Sequence, residues 1–146
     1  LAAVHVGDGA IVTVSPEGHV TRLGVGDSGS YSGEVTVFAP ELDADAVTAR
    51  TVTSTLEGVA AILVVTDGVE DPFYPIERRG IEIVRQLAAG VTAPAEGFRA
   101  QPSHGPVVGH PDALPRLQAW INFERRGEND DRTLLAAFRL PHAFSG

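Results

Sequence analysis

Several of the acidic residues of this 146-residue chain stand at the ends of its apolar runs. Val59-Ala60-Ala61-Ile62-Leu63-Val64-Val65 is uninterrupted and rich in β-branched side chains, and it ends on Thr66-Asp67-Gly68, with Glu70 and Asp71 close behind. The composition of that run predicts a strand buried on both faces. Such a strand delivers carboxylates to the rim of a core, where leaving them bare costs several kcal/mol each unless a cation compensates. A divalent metal meets that need. A second acidic group, Glu128, Asp130 and Asp131, stands just before another apolar run, Thr133–Leu140. If the two runs are antiparallel neighbours, the end of one and the start of the other share a sheet edge. Asp67 and Asp130 then project into one pocket, and oxygen-only ligands of this kind suit a hard cation such as Mg²⁺ or Mn²⁺. Asp8, set between Gly7 and Gly9 after the apolar stretch Leu1–Val6, is a third candidate. Each acid also has a plainer reading: Asp67-Gly68 as a simple turn, Asp130 as a surface loop acid, and Gly-Asp-Gly as a common turn.

The elements that must carry these residues follow from pattern. Leu1–Val6 reads as a strand ending at a turn whose glycines tolerate positive φ. Ala10–Val14 and His19–Leu23 form a hairpin around Ser15-Pro16-Glu17-Gly18. Gly24–Gly33 is a Gly/Ser loop, and Glu34–Ala39 alternates as a strand up to Pro40. Ala46–Leu56 alternates Val and Thr and reads as another strand. Helix signals come later. Pro75–Ala89 has apolar positions at Ile76, Ile81, Val84, Leu87 and Ala88 with Gly90 beyond its end. Pro111–Arg126 has a buried stripe of Leu114, Leu117, Trp120 and Ile121, with Pro115 in its first turn and Gly127 after it. Val91–Gly109 lacks periodicity and reads as surface loop. Strands first and helices afterwards argue α+β with an antiparallel sheet rather than a βαβ wind, in one domain spanning 1–146.

Composition narrows the function. With 11 basic against 19 acidic residues the net charge is −8, which disfavours a broad nucleic-acid surface. No apolar run approaches the roughly 20 residues that span a bilayer, so no membrane segment is expected and a cytoplasmic setting is. There is no cysteine, hence no disulfide and no thiolate zinc site. There is also no methionine, and the chain opens on what reads as a strand already in progress; the expectation is a protein that continues upstream.

Three segments in order, Val-His-Val-Gly-Asp-Gly-Ala-Ile-Val (4–12), Ile-Leu-Val-Val-Thr-Asp-Gly-Val-Glu-Asp (62–71) and Gly-Glu-Asn-Asp-Asp-Arg-Thr-Leu-Leu-Ala-Ala-Phe (127–138), resemble the later motifs of the metal-dependent, type 2C serine/threonine protein phosphatases and their compact bacterial relatives. The resemblance implies an α+β fold, an antiparallel β-sandwich flanked by helices in αββα order, with a metal cluster at one end. It implies metal ligands at Asp67 and Asp130 for one ion of a catalytic pair. It implies Asp8 and Asp71 for an additional ion, and Gly68 beside them in the metal set. The implied cofactor is two to three Mn²⁺ or Mg²⁺ ions, and the implied reaction is hydrolysis of phosphomonoesters by a metal-bridging hydroxide. The implied partners are a phosphoserine or phosphothreonine protein and a cognate serine/threonine kinase. Asp131 stands where the family usually has Asn. The family's earlier motifs, which hold a bridging aspartate, the phosphate-binding arginine and the proton-donating histidine, have no match. The chain therefore resembles the C-terminal portion of such a domain, holds no catalytic general acid of its own, and is expected to bind Mn²⁺ weakly and catalyse poorly. The alternative is an inactive phosphatase-like domain that binds a phosphoprotein or partner.

Other motifs carry less. Gly24-Val25-Gly26-Asp27-Ser28-Gly29 has dinucleotide-loop spacing but no βαβ unit around it, and its Asp27-Ser28 echoes a serine-protease nucleophile without the chain that fold needs. This loop is also an alternative to Gly7-Asp8-Gly9 as the family's turn. His5, His19, His104, His110 and His142 show no ligand spacing.

Overall fold

In the computed structural model of the chain, residues 1–26, 43–90, 106–123 and 131–139 are described. Among them, four antiparallel strands form the main sheet in the order β3-β2-β5-β6: β2 is Ala10–Val14, β3 Val20–Arg22, β5 Ala61–Val65 and β6 Leu134–Phe138. A second antiparallel pair joins β1 (Ala2–Val4) to β4 (Thr51–Thr53). The helices are α1 (Ala44–Arg50), the single turn α2 (Asp67–Glu70), α3 (Ile76–Ala89) and α4 (Ala113–Ile121), with a 3₁₀ turn at Asp71–Phe73. The class is α+β with antiparallel sheets and flanking helices, as the order of signals along the chain predicts.

The main apolar cluster lies on one face of the main sheet, while β2 is buried along its whole length. Ala10 and Val12 of β2 and Leu63 and Val65 of β5 pack with Val69, Phe73, Ile76, Ile83, Leu87, Val107 and Trp120. Phe73 stacks on Trp120 at 6.2 Å between ring centres, and Trp120 meets Phe123 edge-on at the same separation, both favourable aromatic arrangements. The indole N–H is satisfied by Gln86 Oε1 at 2.9 Å. α3 follows the predicted span and ends at Gly90, whose N–H donates to Gln86 O. Its buried line runs through Ile76, Gly80, Ile83 and Leu87, while Ala88 faces solvent.

Four expectations need correction. The segment read as a Val/Thr strand over Ala46–Leu56 is helix α1 followed by only three strand residues. Asp43 Oδ1 accepts from Ala46 N–H at 2.8 Å as an N-cap, and the Thr48 and Thr51 hydroxyls donate back to the carbonyls four residues earlier, at 2.7 Å each. Capping and threonine back-bonding satisfy the short helix locally, although none of its residues is buried. The central strand β5 is buried on one face only: Ala61, Leu63 and Val65 point into the core while Val64 is 38% exposed. β6, expected to be buried, is the outermost strand of this sheet among the described residues, with Leu135 58% exposed. Finally, Leu114 lies outside the α4 stripe at 65% exposure; α4 begins at Ala113, so Leu114 sits in its first turn, away from Trp120. The predicted strand Glu34–Ala39, Gly127 and most of the loop Val91–Gly109 lie outside the described residues.

Phe73→Ala should lower stability by about 3–5 kcal/mol, the usual cost of emptying a large aromatic site. Leu114→Ala should stay within about 0.5 kcal/mol, as exposed substitutions do. Urea unfolding of the two variants beside wild type measures both.

Candidate active-site cleft

The register of the main sheet brings three chain segments to one end. Ala10 pairs with Val65 across β2 and β5, and Val65 pairs with Leu134 across β5 and β6. The turn Gly7-Asp8-Gly9, the segment Thr66-Asp67-Gly68 and the entry Asp131-Arg132-Thr133 therefore abut. Thr66 binds the last of these: its N–H donates to Thr133 O at 3.2 Å, its hydroxyl to Asp131 O at 3.1 Å, and Thr133 N–H returns to the Thr66 hydroxyl at 2.9 Å. The condition set by the sequence, that the end of one apolar run and the start of the other share an edge, is met.

Two glycines make the approach possible. A Cβ on Gly9 would stand 2.2 Å from Val65 O, and one on Gly68 would stand 2.6 Å from Asp131 O. Both obstacles are backbone, which does not move aside as a flexible side chain does.

After Thr66 the chain turns at once into α2, where Glu70 N–H donates to Thr66 O at 2.9 Å and Asp71 N–H donates to Asp67 O. Asp67 and Asp71 are thus one helical turn apart, a spacing that stacks side chains on one side. Asp67 Oδ1 accepts from Gly68 N–H at 2.7 Å. The chain then runs through Pro72 into Phe73 of the core, which anchors the acidic turn from below. On the other flank, the Arg132 guanidinium lies 4.0 Å from the centre of the Phe123 ring and donates to Phe123 O; that cation–π contact fixes the entry to β6 against the end of α4.

Asp8 and Asp71 line one open cleft of about 440 Å³, together with Arg22, Gly24, Val25, Gly26, Glu70 and Tyr74. Asp67 lies at the same end of the sheet without lining this cleft. Asp130 lies outside the described residues, next in sequence to Asp131. The carboxylate oxygens suit a hard dication, although among the described residues no three acidic or histidine side chains converge as a ready ligand group.

The pairing of Arg22 with Glu70 is a feature that spacing alone did not reveal. Arg22 Nη2 donates to Glu70 Oε2 at 2.9 Å and to Gly9 O at 2.8 Å, and Nη1 faces Glu77 of α3 at 3.7 Å. Glu70 is almost buried, and burial pushes its carboxyl above the usual range while the Arg22 charge pulls it back down. The available signal was a lone arginine at the end of a hairpin strand, the end that finishes beside the acidic knot.

The family model described as Protein phosphatase 2C matches residues 1–97, about two thirds of the chain. The chain belongs to the protein phosphatase 2C family. No curated protein and no solved structure matches it. Within the family span fall Asp8, Arg22, Asp67, Gly68, Glu70 and Asp71; Asp130 falls beyond it. Protein phosphatase 2C enzymes act on phosphoproteins and are generally Mn²⁺- or Mg²⁺-dependent. Among the described residues, no helix is long and apolar enough to cross a membrane.

Gly9→Ala and Gly68→Ala should each destabilise the chain by about 1–3 kcal/mol through forced backbone displacement. Chemical denaturation gives the values, and a change below about 0.5 kcal/mol at either site would contradict the close approach.

Proposed function

We propose that this chain forms part of a metal-dependent serine/threonine phosphoprotein phosphatase, with Asp8, Asp67, Asp71 and Asp130 as its carboxylate ligands and Gly68 keeping the acidic turn close to the β6 entry. The observation that carries this reading is the convergence of Gly7-Asp8-Gly9, Asp67–Asp71 and Asp131 at one end of the sheet, in a chain that belongs to this family. Two to three Mn²⁺ or Mg²⁺ ions held there would supply Lewis acidity and neutralise phosphate charge.

The chain's own contribution is positional. α2 sets Asp67 and Asp71 one turn apart, the β2–β5 register brings Asp8 alongside, and the Phe73–Trp120–Phe123 ladder holds the bearing segments rigid. Phosphoryl transfer depends mainly on such positioning and on charge stabilisation. The cleft is open, as a phosphorylated side chain carried on a protein requires. Exposed Tyr74 and Val25, at 68% and 88%, stand on its rim where a peptide flanking the phosphate would lie.

A protein carrying this chain together with the family's earlier motifs should hydrolyse a phosphothreonine peptide with Mn²⁺. Asp67→Asn should lower that turnover by roughly 10²-fold or more, the scale on which loss of one preorganised electrostatic group acts. Turnover that survives the substitution would refute the assignment. Phosphopeptide binding without turnover in wild type would instead favour the non-catalytic binding module. The chain by itself, in which the family's earlier motifs have no match, should bind Mn²⁺ in the micromolar range or weaker by calorimetry, and tight stoichiometric binding would contradict that expectation.

A further inference from the structure

We infer that Arg22 is a positioning residue that clamps the two acid-bearing turns of the cleft to each other and so sets the separation of Asp8 and Asp71. One guanidinium nitrogen, Nη2, donates both to Gly9 O, in the residue after Asp8, and to Glu70 Oε2, in the residue before Asp71. The two turns come from opposite halves of the family span and are joined here through a single side chain. Glu70 is the buried pillar of the clamp, its side chain 6% exposed, and Arg22 is itself only 24% exposed. A partly desolvated, charge-assisted hydrogen bond of this kind holds geometry more firmly than a surface pair. The base of Arg22 is held as well: its Cα is paired with Val12 in the β2–β3 hairpin, whose side chains Val12 and Val14 are buried in the core. Glu77, in the first turn of α3, faces Nη1 at 3.7 Å.

The clamp and a simple charge effect predict opposite signs. A cation beside a dication site weakens metal binding by repulsion, so if Arg22 acted through charge alone, Arg22→Gln would tighten Mn²⁺ binding. If Arg22 holds the turns together, Arg22→Gln loosens the carboxylate spacing and weakens binding, by about 10- to 100-fold on the scale of residues that orient ligands without touching the metal. This arm rests on the proposed metal-binding role of the cleft. The structural arm does not.

Three measurements on the 146-residue chain decide it. In metal-free wild type, NMR should show the Arg22 Nη protons as separate, exchange-protected signals; a single averaged, unprotected signal overturns the clamp without any substitution having to fold. In metal-free Arg22→Gln, amide exchange should accelerate at Gly9 and across Glu70–Phe73 while Val12–Val14 stay protected; unchanged exchange at both turns overturns it. Free-Mn²⁺ titration followed by electron paramagnetic resonance should show weaker binding in Arg22→Gln, and tighter binding overturns it. If wild type binds no Mn²⁺, or if Asp71→Asn leaves its binding unchanged, the metal reading of the cleft fails while the two exchange measurements still decide the clamp.

Discussion

Everything at the acidic end of this protein depends on the antiparallel register of β2, β5 and β6. Because Ala10, Val65 and Leu134 lie abreast, a turn, a strand exit and a strand entry finish at the same level. A slip of one residue in either pairing would reverse which side chains face the helices. It would also part Gly9 from Val65 and Gly68 from Asp131. The register is held on the core face by Val12, Leu63 and Val65, all nearly inaccessible, and at the rim by the Thr66 hydrogen bonds to Asp131 and Thr133. Core packing and site geometry are here one constraint.

The aromatic ladder extends that constraint beyond the sheet. Phe73 follows Asp71 by two residues, and Arg132, stacked on Phe123, follows Asp131 directly. Trp120 lies between the two rings. The two acidic segments are thus tied both above, through Thr66 and Asp131, and below, through buried rings. Arg79 reinforces the lower tie by donating to Pro72 O at 2.9 Å while lying over the Phe73 ring. Rigid support of this kind is what a site working by preorganised charge requires.

Much of the site was legible because its signals are local. An apolar run ending on Thr-Asp-Gly, a glycine on either side of Asp8, and an acidic stretch before the last strand each mark a strand end, and the antiparallel pairing that unites them follows from fold class. The hairpin 10–22 and helix α3 were legible for the same reason. What failed were readings that depend on tertiary context. Period-2 alternation over Ala46–Leu56 could not reveal that Asp43 caps a helix and that threonines bond back along it. A continuous apolar run could not tell a strand covered on both faces from one covered on one. The Arg22–Glu70 pair was illegible because 48 residues separate its members and Arg22 belongs to none of the motifs. The family match is consistent with the motifs at 4–12 and 62–71, and stops short of the third.

Metal held at the β2–β5–β6 end of the sheet would be the source of the proposed chemistry. Paramagnetic broadening of backbone amides by substoichiometric Mn²⁺ tests it most directly. Metal held there broadens signals centred on Gly7–Gly9, Asp67–Asp71 and Asp131, with Leu56–Ala61 at the far end of the same sheet unaffected. Broadening centred on the far end, or spread evenly over the acidic surface, would contradict it.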